Sequence, residues 1–439
     1  MITNFKDLAK TPLREKALKI AEAGYRAIEI ESAILRKVSL KKDRLVIKHF
    51  GSRGLFFDRG FKIDLAKFQK VFLVGIGKGS SLASNAIANI LGERLEKGIA
   101  LDIGNPQFEI RNLKLEILKG THPLPSEPNI VATKEIIKLA QSLTKEDLLL
   151  VFVGGGGSSL TCVSEEELKD SSLITKELTK AGANIEELNT VRKHLSILKG
   201  GGLVKMASRA TIVSLIVSDV CGNHLGIIAS GPTVFDETTK ADAETILKKY
   251  NLNPADFHLI ETPKEKALFK KTTNMLFVCN QDAVMAMLAE AEKLGFLSKI
   301  YSLALEGEAK DIFEPMLRNI KSNQVFLAAG ETTVTIKNHK LGKGGRNMEA
   351  VLGAICSFES GIKDGAVMMS FASDGHDATE AAGAIADAKT IEAARNLNLD
   401  KGEFLDNHDS FHFFEKTGDL LFVEPKSFNV ADLMVVLKI

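Results

Sequence analysis

The sequence predicts an α/β protein: an open, mostly parallel sheet domain, followed by a second α/β domain. Three observations carry this expectation. Short apolar, β-favouring runs recur along the chain with helix-like segments between most of them, as in sheets covered on both faces. Some of these runs stop abruptly at glycine-rich turns, GIGKGS after VFLV and GGGGSS after LLLVFV. The series also breaks off and restarts across a charged, proline-bearing stretch, and 439 residues leave room for two or three cores.

Taken in order, residues 11–38 read as helix, with Leu13, Ala17, Ile20, Ala21 and Ile28 at helical spacing. We expect an N-terminal helical segment over 1–40, whose packing side the sequence leaves open. Strand-like runs follow at 71–74, 99–104, 115–118, 148–153 and 211–217, giving a first domain over 41–250. Between about 235 and 270 the chain becomes charged and carries Pro254 and Pro263, the texture of a helix and an exposed connection. A second series at 275–279, 324–329, 332–336 and 366–372 gives a second domain over 251–439.

Composition narrows the class. A net charge of +1 with 26% charged residues offers no basic excess for nucleic acid. No apolar stretch approaches the ~20 residues of a membrane span, and the N-terminus lacks a secretory apolar core. Cys162, Cys221, Cys279 and Cys356 are scattered without CxxC spacing, so neither a zinc site nor a disulfide frame is indicated. The expectation is a cytoplasmic enzyme acting on a small molecule, with oligomeric state, a homo-oligomer included, left open.

The polar clusters fall where strands should end, the place where open α/β sheets bind ligands. Gly154, Gly155, Gly156 and Gly157, then Ser158 and Ser159, form either an anion cradle of bare N–H groups or a tight strand-to-helix turn. Lys78, beside Gly77 in GIGKGS, suits a phosphoryl group or carboxylate, or is an ordinary loop lysine. His122 in THPLP either lines a site or braces its turn. Arg192, Lys193 and His194, with Lys199 and three glycines, make an anion clamp or a solvated, glycine-capped helix end. Asp219 after TIVSLIV could hold Mg2+ or accept a proton, or cap a turn. In the second half, Glu331 follows a strand, Arg346 and Asn347 open a helix from a glycine loop, and Asp374, His376 and Asp377 follow AVMMSFA. Together these are the parts of an enzyme that moves a phosphoryl group by electrostatic clamping; neither a GxxxxGK[ST] loop nor the protein-kinase loop set is present.

In this order, GIGKGS, THPLPSE, VGGGGSSL, LNTVRKHLSILKGG, SDVCGNHLGIIASGPTV, AAGETTVTI, GKGGRNMEA and SDGHDATEAAGA resemble the glycerate 2-kinase family, from about residue 10 to the C-terminus. The resemblance implies a Rossmann-like domain, a C-terminal domain of the MOFRL type, an active site in the cleft between them, and conversion of D-glycerate to 2-phosphoglycerate with ATP and Mg2+. It implies that Lys78 and Arg346 neutralise the transferred phosphoryl group, and that the 154–159 loop with Arg192 and His194 binds carboxylate or phosphates. Asp219 and Asp374 are its candidates for Mg2+ or for orienting the attacking hydroxyl, and Glu331 and Asn347 for substrate or phosphate contacts. Some members carry the label hydroxypyruvate reductase, which makes an NAD(P)H-dependent reductase the alternative, with Asp102 as the available ribose-binding acid, alongside a kinase of another small hydroxy acid. Departures from the family pattern stand at Asn223 and His224, where acidic residues are usual, at Ala378, where DGxDG loses a glycine, and over 424–430, where a GPTGTNV-type segment is replaced.

Overall fold

The runs near 71–74 and 148–153 pair with each other at the centre of a six-stranded sheet in this computed structural model, which describes residues 1–48, 60–104, 108–336, 342–363, 365–424 and 428–439. Three strands precede that sheet and form a small antiparallel one of their own: β1 (Val38–Lys41), β2 (Arg44–Ile47) and β3 (Phe61–Asp64). The six are β4 (Lys70–Ile76), β5 (Leu95–Asp102), β6 (Leu115–Lys119), β7 (Asp147–Val153), β8 (Thr211–Val217) and β9 (Thr272–Val278). They are all parallel, in the order β6-β5-β4-β7-β8-β9. Every residue of β7 is buried, which is why its sequence is an unbroken apolar run instead of an alternating one. Val74, Ile76, Val151 and Val153 pack with Ile136 and Ala140 of the helix Glu127–Ser142. Going outward from the centre, strand order runs one way from β4 and the other way from β7. The gap beyond the carboxyl ends of these two strands is therefore the switch point where such sheets take ligands.

The chain divides into two units, Ile30–Val278 and Met1–Glu29 with Cys279–Ile439. This moves the expected break from 250/251 to 278/279. MLFVC closes the first sheet instead of opening the second series, because β9 pairs with β8. The charged stretch before it also belongs to the first unit: Ala243 and Leu247 of the helix Lys240–Lys249, with Phe257 and Leu259, pack on Leu188 and Val191.

In the second unit the helix Pro12–Ile28 starts at Thr11, whose side chain accepts from the Arg14 amide, with proline at the first turn. It packs on the helix Asn280–Lys293, where Gly24 gives room to Met287. Fully buried Arg14 pairs with Asp387 and Asp419, each at 2.7 Å, so the N-terminal helix is tied to the C-terminal sequence by a compensated buried charge. The sheet comprises β10 (Leu297–Leu305), β11 (Gln324–Gly330), β12 (Ala366–Ala372), β13 (Gly383–Ala386), β14 (Leu420–Leu421) and β15 (Asp432–Lys438), ordered β10-β11-β15-β12-β13-β14. β15 lies antiparallel between β11 and β12, so its first residue, Asp432, sits across from their last, Gly330 and Ala372. The expected strand at 332–336 does not form; only Thr333 bridges, to Glu308. Both neighbours of β11 end level with Gly330, so the chain beyond it has no strand to pair with. Among the described residues no helix is long and apolar enough to cross a membrane.

Candidate active site

At the switch point of the first unit the loops after β4 and β7 are laced together. The Lys78 amide donates to Gly155 O at 2.8 Å, and the Gly154 amide to Ile76 O at 2.8 Å. Gly77 has φ +107°, and a Cβ there would collide with the Gly154 backbone, so glycine is required. The N–H groups of Gly155, Gly156, Gly157 and Ser158 have no acceptor among the described residues, which makes the turn an open set of donors.

Side chains from four loops and helices meet this turn. A Cβ on Gly156 would lie 3.0 Å from His122 Nε2 and 3.3 Å from Lys78 Cε; one on Gly155 would collide with the Asp219 carboxylate. Ser158 Oγ and Ser230 Oγ are 2.8 Å apart, and Ser230 donates onward to Asn189 Oδ1. Arg192 joins Ser158, Ser159 and Thr175 around a small recess, with Nη2 donating to Thr175 Oγ1 at 2.9 Å. Burial lowers the proton affinity of this guanidinium, and among the described residues no carboxylate lies within ion-pair distance of it or of Lys78. A partly buried cation without a counter-ion is costly, and an anionic ligand removes that cost.

Two sequence candidates lie elsewhere. His194 is fully buried and turned away from the cradle: Nδ1 bonds Thr190 O at 2.8 Å and Nε2 faces Glu261 at 3.3 Å. Residues two apart on a helix point to opposite sides, so Arg192 and His194 cannot serve one site. Lys193 pairs with Asp236 and Lys199 with Glu167. Asp102 is consumed in holding the Gly79 and Ser81 amides and the Ser81 hydroxyl at the start of the helix Ser80–Leu91.

The second unit has a cavity of about 620 Å³ at the ends of β11 and β12 and the start of β15, walled by Val334, Arg346, Asp374, Asp377, His408 and Asp432 among others. Arg346 opens the helix Arg346–Ser357, and its Nη1 and Nε are each held at 2.6 Å, by Glu331 and by buried Asp432. Burial pushes the Asp432 carboxyl up to about 6, against the pull of Arg346. Asp377 accepts from the Asn347 and Met348 amides, yet burial still drives it up to about 7. Asn347, also buried, spans Asp377 and Ser370, so it braces the helix start. Asp374 lines the cavity and accepts from the His376 amide. Buried Tyr25 donates to Ala372 O at 2.8 Å, linking the N-terminal helix to the end of β12.

Of the departures, Ala378 has φ +55° where the family pattern has glycine, and Asn223 has φ +56°. In the replaced C-terminal segment Phe428 is buried and Asn429 accepts from Ser373; residues 425–427, Lys426 included, fall outside the described residues. Among the described residues no three His, Cys, Asp or Glu side chains form a metal cluster; Asp219 belongs to the first unit, and Asp374 shares the cavity of the second with Asp377 and Asp432.

Sequence reading missed Asp432 and left His122 undecided. The signal for Asp432 was a carboxylate opening the last apolar run, DLMVVLKI, which matters only because that strand runs antiparallel.

The chain matches the domain of unknown function DUF4147 over residues 16–260 and the MOFRL family over 324–432. It is 34% identical to the glycerate 2-kinase of Pyrococcus horikoshii, with 97% of each chain covered. It is 34% identical to the D-glycerate 2-kinase of Thermotoga maritima, over 90% of this chain and 98% of the other. The crystal structure of a Thermotoga maritima glycerate kinase superimposes with a TM-score of 0.79 at 29% identity, covering 97% of this chain and 99% of that one.

Proposed function

The chain belongs to the glycerate 2-kinase family, and from that membership we propose that it transfers the terminal phosphoryl group of ATP to the 2-hydroxyl of D-glycerate. The observation that carries the reading is the positive charge of Lys78 and Arg192, which have no ion-pair partner among the described residues, beside open N–H groups at the switch point. A small hydroxy acid brings the carboxylate that Arg192, Ser158 and Ser159 are suited to hold. Lys78 and Arg346 then take the charge of the transferred phosphoryl group, the main electrostatic task in such a reaction. Glu331 and Asp432 keep the Arg346 guanidinium oriented, and among the described residues Nη2 has no ion-pair partner.

Mg2+ typically keeps water and phosphate ligands and takes only one or two carboxylates, so either Asp219 in the first unit or Asp374 in the second would suffice as its protein ligand. Bound there, the ion would neutralise phosphate charge. The reductase alternative loses its ribose-binding acid, because Asp102 is already spent on a helix start.

A coupled assay with ATP, Mg2+ and D-glycerate, with the product identified by NMR, tests this reading. We expect glycerate-dependent ADP release and 2-phosphoglycerate. Folded protein that releases no ADP in response to glycerate, or that forms 3-phosphoglycerate, would overturn it.

A further inference from the structure

His122 belongs to the cradle, yet among the described residues no hydrogen bond holds its ring. The loop that carries it is fixed by other groups: Thr121 Oγ1 donates to Leu124 O at 2.8 Å, and Asn129 Oδ1 accepts from the Thr121 and Ser126 amides. Neither imidazole nitrogen has a hydrogen-bond partner among the described residues. The ring edge that includes Nε2 faces Gly156, against which the Lys78 side chain also lies. Lys78, from the loop after β4, and Arg192, from the helix Ile185–His194, are the charged groups that act on it. The Asp219 carboxylate stands against the neighbouring glycine, Gly155.

A ring set among two cations and open amide donors is a poor choice for a third cation. Burial first, then Lys78 and Arg192, hold its proton affinity below that of an ordinary histidine, so it enters the reaction neutral, with a lone pair available. Anionic substrates offset the two cations, which restores the basicity of the ring when a proton has to be taken. We propose that His122 is the base that accepts the proton of the acceptor hydroxyl, an inference that rests on the kinase reading above. The hydroxyl oxygen bonds to the terminal phosphorus of ATP as the bond from that phosphorus to the ADP oxygen breaks. The hydroxyl proton passes to a ring nitrogen of His122, and the imidazolium then returns it to water.

The test is steady-state kinetics of the full chain carrying His122→Gln, with His122→Gly as a second variant, each checked for an unchanged melting temperature. General-base loss should lower kcat by ~10²-fold or more while KM for glycerate and ATP changes little. The acidic limb of the wild-type kcat/KM profile should be missing in His122→Gln, and added imidazole should restore part of the His122→Gly rate. Wild-type kcat in His122→Gln, or a loss confined to KM, would overturn the inference, the latter making the ring a ligand instead of a base. If one variant melts early, the other and the imidazole response decide. A wild-type protein without glycerate-dependent turnover would overturn the kinase reading itself, an outcome distinct from active wild type with an unaffected variant.

Discussion

The two units place cations at strand ends in opposite electrostatic settings. Among the described residues of the first, partly buried Arg192 has a threonine hydroxyl as its side-chain hydrogen-bond partner, and neither it nor Lys78 has a carboxylate within ion-pair distance. In the second, Arg346 is gripped by Glu331 and Asp432 before any ligand arrives. The first arrangement stores a need that an anion satisfies. The second fixes the direction of a charge and places the cost on Asp432, whose carboxyl is pushed up to about 6 by burial. On the proposed function, the bare cation would select the ligand and the paired one would be held in position for the transition state.

The largest expected effect treats both cations alike. Lys78→Ala and Arg346→Ala should each reduce kcat by ~10²-fold or more in folded protein; ordinary turnover in either variant would remove that residue from the chemistry. Stability should then separate the units. Arg346→Met strands buried Asp432 and should cost about 1–3 kcal/mol in denaturant unfolding. Arg192→Met removes a charge with no counter-ion and should leave the ligand-free protein as stable as wild type or more so. Equal losses in the two variants would break the contrast.

Acidity sharpens it further. Asp377 has its affinity for protons raised to about 7, so the folded state binds more protons than the unfolded chain between roughly pH 4 and 7. Its contribution to stability therefore declines as pH rises through that window and is lowest above 7. Asp377→Asn should flatten this part of the stability–pH curve, and an unchanged curve measured by urea unfolding would contradict the assignment. The smallest effect belongs to Ala378, which holds a left-handed backbone at φ +55°. Ala378→Gly should raise stability by about 0.5–1 kcal/mol, read from the melting temperature.

The loops after β4 and β7 were legible because an uninterrupted apolar run ending in glycine declares both a buried strand and a close approach. Lys78 stood out because it lies inside such a turn, whereas Arg192 stood out only as one of three adjacent basic residues; the roles of both rest on the proposed function. His194 was misplaced because adjacent charges in sequence look like a cluster until helical geometry turns alternate residues apart. Asp432 was invisible because its importance comes from β15 being inserted antiparallel between two parallel strands, a non-local fact of topology. The domain break was misjudged because the charged, proline-bearing stretch before β9 looked like a linker, yet its apolar residues pack inside the first unit.

Thermal unfolding of wild type and Arg192→Met, each with and without D-glycerate, tests the central claim most directly. The account predicts that Arg192→Met alone melts no lower than wild type, and that glycerate raises the melting temperature of wild type only. Equal stabilisation of both proteins by glycerate, or a marked fall in the melting temperature of ligand-free Arg192→Met, would contradict the view of Arg192 as an uncompensated cation that waits for the substrate.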